Sequence, residues 1–467
     1  MRARRTALLI ALVAGLSGCT VAGHAADAGA EQVVVGYQSK TINTVTAGTL
    51  LRAQGFFEKR LGELGGRTGK KYAVTWQDYD TGAPITAQMM AGKIDIGSMG
   101  DYPLLINGAR GQQSAETRTK MVAVTGYNLR GALNTVVVAP KSPIHSLTDL
   151  RGKVVSASSG SAGHGLLVQA LRKNGLDPDR DVKIENQQPP IGASALQSGN
   201  VDALSQFVAW PGLLVHQGAA TVIYDGGELG VPTLHGTVVR EKYATANRDV
   251  VEAFLQAQQD ATRFLWDQPL KASEIVAQAT GLPPEVVYLY NGANGIATFD
   301  LTLKPQLRAA LQQDVPFLKS IGVLQQIDLS TFIDDSYLRG VYGTAYDTDV
   351  AGTANRAALA GTDPVCKTPV TDPALAGELW LSGRTQPAAN PRCLLRAVRA
   401  AQAAGEQIKS AYVPDAGTGT RWFADKSVWV RDGATFHPFV SAAAAQRYVS
   451  AHTGAAVVPY AEAVKAA

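Results

Sequence analysis

The sequence has little of what marks several classes of protein. It has no dense run of lysine and arginine, so we expect no nucleic-acid partner, because such binding needs a clustered basic face. After the first nineteen residues, no apolar stretch reaches the length of a transmembrane helix. Charged residues make up 18% and apolar residues 46% of the 467 positions. These proportions indicate a globular chain, long enough for two or three domains.

Signatures of catalysis and of metal binding are also missing. The loop that contains Gly160 and Gly163 is not followed by Gly-Lys-Ser/Thr and is therefore not a P-loop. His145, His216 and His235 are dispersed, without the spacing of metal ligands. No Ser/His/Asp set occurs around a nucleophile elbow. We predict no enzyme activity, no catalytic residues, no cofactor and no metal site.

The N-terminus has the pattern of an export signal. Three arginines precede an apolar run at 7–16 that is too short to span a bilayer. The segment ends in Leu-Ser-Gly-Cys at 16–19, which resembles the bacterial lipobox, a motif whose cysteine receives diacylglycerol. We predict that 1–18 are a lipoprotein signal peptide and that Cys19 carries the lipid. An ordinary cleaved signal is the alternative. Removal of the three arginines lowers the formal charge from +4 to about +1.

The expected lipid anchor locates the protein in the cell envelope, outside the cytoplasm. Residues 19–30 are small and low in complexity, which predicts a flexible tether between lipid and fold. The remaining cysteines, Cys366 and Cys393, form an even pair in an oxidising compartment. This environment favours a disulfide between them. A metal site and two free thiols are the alternatives.

Strands and helices alternate along the first half of the chain, which is typical of a mostly parallel sheet covered on both faces. A helix that ends in glycine and leads into a short strand occurs at 85–101 and again at 193–207. This repetition suggests two similar lobes. Residues 346–362 are rich in Ala, Gly, Thr and Asp and lack periodicity, so they are predicted to be a linker. Residues 363–467 have strands, turns and a helix of their own and are predicted to form a small α+β domain.

Ligands of open α/β sheets bind beyond the carboxyl ends of the strands. The loops expected at these ends are 38–39, 98–101, 158–164 and 206–210. The serines and glycines of 158–164 place hydroxyls and bare amides at the positive end of a helix dipole, which predicts a site for an anionic group. N-capping by the serines alone is the alternative.

Four segments resemble a known family when they are taken in order along the chain. They are AGKIDIGSMGDYP (91–103), LTDLRGKVV (147–155), SGSAGHGLLVQALRKNGLDPDRDV (159–182) and GNVDALSQFVAWPGLLV (199–215). They resemble the periplasmic binding proteins of nitrate, sulfonate and taurine ABC importers over about 33–340. The resemblance implies a two-lobed, type II periplasmic-binding-protein fold over 31–345. Lobe one is then about 31–130 plus 230–342, and lobe two is about 131–229.

The same resemblance implies a function and a site. It implies the extracytoplasmic solute-binding component of an ABC importer, a monomer anchored through Cys19 that works with a permease and its ATPase. The solute is then a small anion of the sulfonate, taurine or nitrate kind. The predicted ligand-binding residues are Gln38, Ser39, Gly100, Asp101, Ser159, Ser161, Gly163, His164, Gln206 and Trp210.

Three of these residues receive specific roles. Ser161 and the neighbouring amides are expected to hold the anionic group, Asp101 to pair with a cationic or donating end, and Trp210 to form an apolar wall. Helix capping is the alternative for Asp101, and packing in the lobe core is the alternative for Trp210. Residues 38–40 lack the glycine-rich loop of sulfonate binders, and Ala209-Trp210-Pro211 lacks the family's acidic residue. The resemblance therefore does not identify the solute.

The tail resembles a second family. The segments DPVCKTPVTDP (363–373) and PRCLLRAVRAA (391–401), with those that follow to about 464, resemble copper-binding lipoproteins of nitrous-oxide-reductase maturation. The soft ligands that Cu(I) prefers are mostly missing, because Lys367-Thr368-Pro369 follows Cys366 without a methionine. Copper handling is therefore an alternative function. Another alternative is a pyrimidine-precursor enzyme on the same two-lobed fold, against which the export signal argues.

Overall fold

The structure is a computed structural model that describes residues 29–467. The predicted signal peptide, Cys19 and nearly all of the predicted tether lie outside these residues, so those predictions stand as expectations. Within the described part, no helix combines the length and apolar character needed to cross a membrane.

The strands of the described residues form four sheets. In chain order they are β1 (Ala30–Tyr37), β2 (Lys71–Asp78), β3 (Ile96–Gly100), β4 (Thr119–Asn128), β5 (Asn134–Val138), β6 (Val154–Ala157), β7 (Lys183–Asn186), β8 (Ala203–Phe207), β9 (Thr221–Asp225), β10 (Thr233–Arg240), β11 (Thr298–Phe299), β12 (Gly377–Leu381), β13 (Arg384–Ala388), β14 (Ile408–Pro414), β15 (Arg421–Phe423), β16 (Val428–Asp432), β17 (Thr435–Phe439) and β18 (Ala456–Val458).

The α-helices lie mostly between these strands. In chain order they are α1 (Thr49–Ala53), α2 (Phe56–Thr68), α3 (Gly82–Met90), α4 (Asp101–Gly111), α5 (Ala162–Lys173), α6 (Pro189–Gln197), α7 (Trp210–His216), α8 (Glu241–Ala246), α9 (Arg248–Asp267), α10 (Pro269–Thr280), α11 (Pro284–Asn291), α12 (Pro305–Ser320), α13 (Leu329–Phe332), α14 (Ser336–Tyr342), α15 (Tyr346–Ala351), α16 (Pro391–Ala403), α17 (Ala442–Ala451) and α18 (Tyr460–Ala466).

Two of the sheets contain the first eleven strands. The six-stranded sheet has the order β11-β4-β10-β3-β1-β2, and the five-stranded sheet has the order β7-β6-β8-β5-β9. The inner strands β3, β5 and β8 are buried along their whole length. Both sheets are mixed, because β10 and β5 run antiparallel to their neighbours, so the prediction of a mostly parallel sheet is wrong. The chain crosses between the sheets twice, from β4 to β5 at 128–134 and from β9 to β10 at 225–233. This arrangement confirms the predicted two-lobed α/β architecture.

The remaining strands form two small antiparallel sheets. Their orders are β13-β12-β14-β15 and β17-β16-β18. Helix α16 packs on the first of them, and its apolar stripe shares a core cluster with Leu379 and Val413. Strands beside helices confirm the predicted α+β character of the C-terminal part, which we call the tail and define as residues 352–467.

The structure differs from the predicted linker. The first six residues of 346–362 form α15, where Tyr346 is buried and its hydroxyl donates to Asp335 at 2.8 Å. The Arg339 guanidinium lies 4.2 Å from the centroid of the Tyr346 ring. Tyr346 therefore holds α15 on lobe one, and the composition of the segment does not reveal this contact.

The tail also does not pack as a separate unit. Trp380, Tyr412 and Trp422 belong to the same core cluster as Trp210 and Tyr288 of the two-lobed part. An exposed surface of such aromatic residues is unusual on a soluble monomer. The tail therefore covers apolar surface that the two-lobed part would otherwise present to water.

Candidate functional site

A cavity of about 380 Å³ lies between the two large sheets. Its walls come from the ends of strands and the starts of helices in both lobes. The residues that line the cavity include Gln38, Thr81, Gly82, Gly100, Pro103, Ile106, Arg110, Ser158, Ser159, Gly160, Ser161, Ala162, Asn186, Gln188, Phe207, His235 and Val323. None of the lining residues comes from the tail. The cavity volume matches the range of small-molecule sites.

Several helices begin at this cavity. Gly82 is the first residue of α3, Gly100 directly precedes α4, Ala162 is the first residue of α5, and Gln188 directly precedes α6. The N-terminus of a helix carries a partial positive charge and unpaired amide groups. Helices that converge from both lobes therefore make the cavity attractive to an anion.

The start of α5 shows this most clearly. The Ser161 hydroxyl accepts a hydrogen bond from the His164 amide at 3.2 Å, which caps the helix. The amides of Ala162 and Gly163 have no acceptor within residues 29–467. Of these two, Ala162 lines the cavity, so its N–H group lies at the cavity wall at the positive end of a twelve-residue helix.

The loop before α5 is held rigidly. The Ser158 hydroxyl donates to the Gln187 carbonyl at 2.8 Å and accepts from Gln206 Nε2 at 3.0 Å. The Ser159 amide donates to Asn186 Oδ1 at 3.0 Å. Gly160 follows with φ of 77°, a left-handed conformation that glycine adopts without strain. The polar atoms of this loop are therefore held in place by hydrogen bonds within the protein.

Two further donors face the cavity from lobe one. The Thr81 hydroxyl is buried and has no hydrogen-bond partner among the described residues. His235 is 3% exposed, and its Nδ1 lies 2.5 Å from the Asn43 side-chain nitrogen. Burial lowers the pKa of His235 to about 3, so the imidazole is neutral. With Asn43 donating to Nδ1, the proton lies on Nε2 and can be donated to a ligand.

The charges around the cavity have one sign. Arg110 on α4 lines the cavity, is exposed to solvent, and has no ion pair among the described residues. No aspartate or glutamate lines the cavity. An anion is therefore attracted by Arg110 and by the helix N-termini, whereas a cationic group finds no carboxylate there.

Four of the predicted site residues line this cavity: Gln38, Gly100, Ser159 and Ser161. The structure thus brings together loops that lie more than a hundred residues apart in sequence. Gln206 does not line the cavity but supports it, because its side chain holds Ser158 in place.

Asp101 does not have the predicted position. Its carboxylate turns away from the cavity and accepts hydrogen bonds from the Tyr102 and Leu234 amides and from the Thr233 hydroxyl, at 2.8, 3.1 and 2.7 Å. It lines a separate gap of about 20 Å³ together with Asn134 and Asp314, beside both crossings between the sheets. Asp101 thus fixes the start of α4 against β10 and is not placed to pair with a solute.

Three other predicted residues also lie outside the cavity lining. Trp210 begins α7 and packs in the core cluster, so the apolar wall is formed by Phe207 instead. Ser39 donates to Asp78 at 2.6 Å. His164 accepts from the Gly160 amide at 3.4 Å, and burial lowers its pKa.

Gly163 serves packing and not ligand approach. A Cβ atom at this position would lie 2.9 Å from the Gln206 Cα and 3.0 Å from its carbonyl carbon. The Gly163 carbonyl also accepts from the Ser205 hydroxyl at 2.8 Å. The glycine therefore lets α5 approach β8, which places the helix N-terminus at the cavity.

Sequence reasoning missed Thr81, Arg110, Asn186, Phe207 and His235. Arg110 lies in the last turn of α4, and no motif marks it. Thr81 directly precedes α3, and a threonine at the start of a helix is a pattern that could have identified it. His235 lies inside a strand, and only the pairing of β10 with β3 brings it opposite Gly100.

The tail cysteines form a disulfide, Cys366–Cys393, with Cα atoms 5.9 Å apart. Asp363 lies within 4.8 Å of both sulfur atoms. Its carboxylate already accepts from the amides of Val365, Cys366 and Ala389 at 2.7 to 2.9 Å. Asp363 and the two cysteines are thus held together by the disulfide and by hydrogen bonds from backbone amides.

Comparison with known proteins relates the two-lobed part to binding proteins. Residues 73–272 match the family model NMT1/THI5 like, which is less than half of the chain. The taurine-binding periplasmic protein of Escherichia coli is 28% identical over 282 residues, which cover 57% of this chain and 84% of that protein.

Solved structures show the same fold. The alkanesulfonate-binding protein SsuA from Xanthomonas axonopodis pv. citri, bound to MOPS, matches with a TM-score of 0.55 at 24% identity, over 65% of this chain and 98% of that chain. The periplasmic aliphatic sulphonate binding protein SsuA from Escherichia coli matches with a TM-score of 0.52 at 24% identity, over 65% and 92%. The two-lobed part of this chain therefore has the fold of the periplasmic binding proteins and is similar in sequence to some of them.

Proposed function

We propose that the chain captures a small organic anion, of the sulfonate kind, for an ABC importer. The observation that carries this proposal is the cavity between the lobes, where several helices begin, Arg110 is present and no carboxylate lines the wall. Ligand chemistry in the named relatives, taurine and alkanesulfonates, supports the same class.

The lining also distinguishes between anions. Pro103, Ile106, Phe207 and Val323 provide apolar surface next to the polar donors. A sulfonate with an alkyl tail buries apolar area here, which contributes about 25 cal/mol per Å². Taurine brings an ammonium group that meets no carboxylate in the lining, and nitrate leaves most of the cavity unfilled. We therefore expect alkyl sulfonates to bind more tightly than either.

Isothermal titration calorimetry with hexanesulfonate, taurine and nitrate tests this order. The buffer must be Tris chloride, because sulfonate buffers would compete. Arg110→Gln should weaken hexanesulfonate binding about tenfold, since it removes a charge at the cavity rim. Arg67→Gln is the matched control, because Arg67 is an exposed helical arginine of α2 that does not line the cavity. Equal affinity for all three solutes, or an Arg110→Gln protein that binds like the wild type, would contradict the proposal.

The cellular setting is part of the same proposal. We infer that Cys19 anchors the protein to the membrane by lipid, outside the cytoplasm. A monomer then delivers its solute to a permease coupled to an ATPase. The lipobox at 16–19 and the periplasmic relatives support this setting.

A further inference from the structure

The tail contacts lobe two at the end of β9. Asp225 Oδ2 accepts hydrogen bonds from the hydroxyls of Thr418 and Thr420, both at 2.7 Å. Arg447 forms an ion pair with Glu228 at 2.7 Å. These contacts are made by the turn before β15 and by α17, and they meet the last residue of β9 and the crossing that follows it. The Phe423 ring of β15 also lies 5.4 Å from the His216 ring of α7 in lobe two.

The tail also contacts α11, which lies after the return crossing. The Tyr412 hydroxyl donates to the Glu285 carbonyl at 2.9 Å. The Arg421 guanidinium donates to the Ala293 carbonyl at 2.5 Å. Helix α11 is itself tied to lobe one, because the Asn291 side chain donates to the Ile42 carbonyl at 2.8 Å.

A buried ion pair of the tail lies at the junction with α11. Arg421 and Glu378 form an ion pair at 2.7 Å with side chains only 4% and 2% exposed. Glu378 also accepts from the Tyr288 hydroxyl of α11 at 3.0 Å, and the guanidinium lies 4.4 Å from the Tyr412 ring centroid. Both ions belong to the tail, but the Tyr288 hydroxyl and the Ala293 carbonyl complete their hydrogen bonding from the α11 side. Displacing the tail would break these two hydrogen bonds at a buried ion pair, which disfavours sliding of the tail on α11.

Closing a two-lobed protein requires one lobe to rotate relative to the other about its connections. Here the chain connects the lobes at 128–134 and 225–233. Helix α7 of lobe two also packs directly on α11, where the Gly212 amide donates to the Tyr290 hydroxyl at 3.2 Å. We propose that the tail adds a further connection, a brace that holds lobe two to the α11 region of lobe one and narrows the range of angles between the lobes. None of the brace contacts involves a residue that lines the cavity.

The proposal is tested on the full-length chain without any solute, by electron–electron double resonance between spin labels on the two lobes. Lys93→Cys and Ile191→Cys provide exposed label sites on lobe one and lobe two, and Cys19→Ser avoids a third label. The Cys366–Cys393 disulfide stays oxidised. Because no solute is present, the outcome is independent of the proposed ligand.

The disrupting variant is Thr418→Val, Thr420→Val and Arg447→Glu combined. It removes both hydroxyls from Asp225 and sets like charges against each other at Glu228. Thr435→Val is the matched control, because Thr435 bonds within the tail, to the Asp432 carbonyl at 2.7 Å. Adding Glu228→Arg restores opposite charges and provides the rescue.

We expect one narrow distance distribution in the labelled parent and in the Thr435→Val control. The disrupted chain should give a distribution about twofold broader, and Glu228→Arg should narrow it again. If the triple variant fails to fold by near-ultraviolet circular dichroism, Arg447→Glu and its Glu228→Arg rescue are compared instead. An unchanged distribution in the folded disrupted chain overturns the brace, and so does broadening by Arg447→Glu alone that Glu228→Arg does not reverse.

Discussion

Replacing Asp314 by asparagine should change how stability depends on pH. Asp314 on α12 is 3% exposed, and its carboxyl Oδ2 is buried without a hydrogen-bond partner in the described residues. Burial, and then the negative charge of Asp101, raise its pKa to about 9. Burial raises the pKa of Asp101 as well, but three hydrogen bonds to its carboxylate oppose that rise, whereas Asp314 has no such opposing hydrogen bonds, so we assign the proton to Asp314.

The free energy of unfolding should fall as the pH rises, because the folded chain binds one proton more than the unfolded chain. Between about pH 4 and pH 9 the folded chain holds a proton on Asp314 that the unfolded chain has released, so the stabilisation present at low pH is lost as the pH rises. One such proton lowers the free energy of unfolding by about 1.4 kcal/mol per pH unit. From pH 6 to pH 8 the wild type should therefore lose about 3 kcal/mol more than Asp314→Asn, which keeps the shape and never ionises.

Urea unfolding followed by tryptophan fluorescence at pH 6, 7 and 8 measures this difference. Asp80→Asn is the control, because Asp80 is exposed and makes no hydrogen bond or ion pair within the part of the chain that the structure describes. Asp314→Asn should also be more stable than the wild type at pH 8. Parallel pH profiles for the wild type and Asp314→Asn would refute the assignment of the proton to Asp314.

Two further predictions concern the helix at the cavity and the membrane anchor. Gly163→Ala should lower the melting temperature and weaken sulfonate binding, because its Cβ would meet the Gln206 backbone at 2.9 Å; Gly62→Ala, with open space around it in α2, should raise the melting temperature instead. Equal shifts for both glycine variants would show that α5 does not depend on this close approach. Cys19→Ala should move the exported protein from the membrane to the soluble fraction, since the lipid supplies the membrane affinity. A Cys19→Ala protein that stays membrane-bound with its signal uncleaved at the wild-type level would reject the lipoprotein assignment.

Local sequence patterns predicted the parts of the site that depend on local structure. The Ser/Gly loop before α5 has a capping serine and a left-handed glycine, and both signals are readable within a few residues. Alternating strands and helices predicted the sheet ends where Gln38 and Gly100 meet the cavity. Asp101 was misassigned because its partners, Thr233 and Leu234, lie over a hundred residues away and only the pairing of β10 with β3 brings them near.

The tail shows a different limit of sequence reasoning. Its own strands and disulfide are local and were predictable, but its attachment depends on aromatic residues that face another part of the chain. From sequence, Trp380 and Tyr412 fit a hydrophobic core within the tail as well as one formed jointly with the two-lobed part, since both arrangements bury the same rings. What decides between them is the buried ion pair of Glu378 and Arg421, which is completed by Tyr288 from α11. A buried ion pair that takes hydrogen-bond partners from another part of the chain marks an attachment surface. Here two of its three hydrogen bonds, those with Tyr288 and Ala293, would be lost to water if the surface were uncovered.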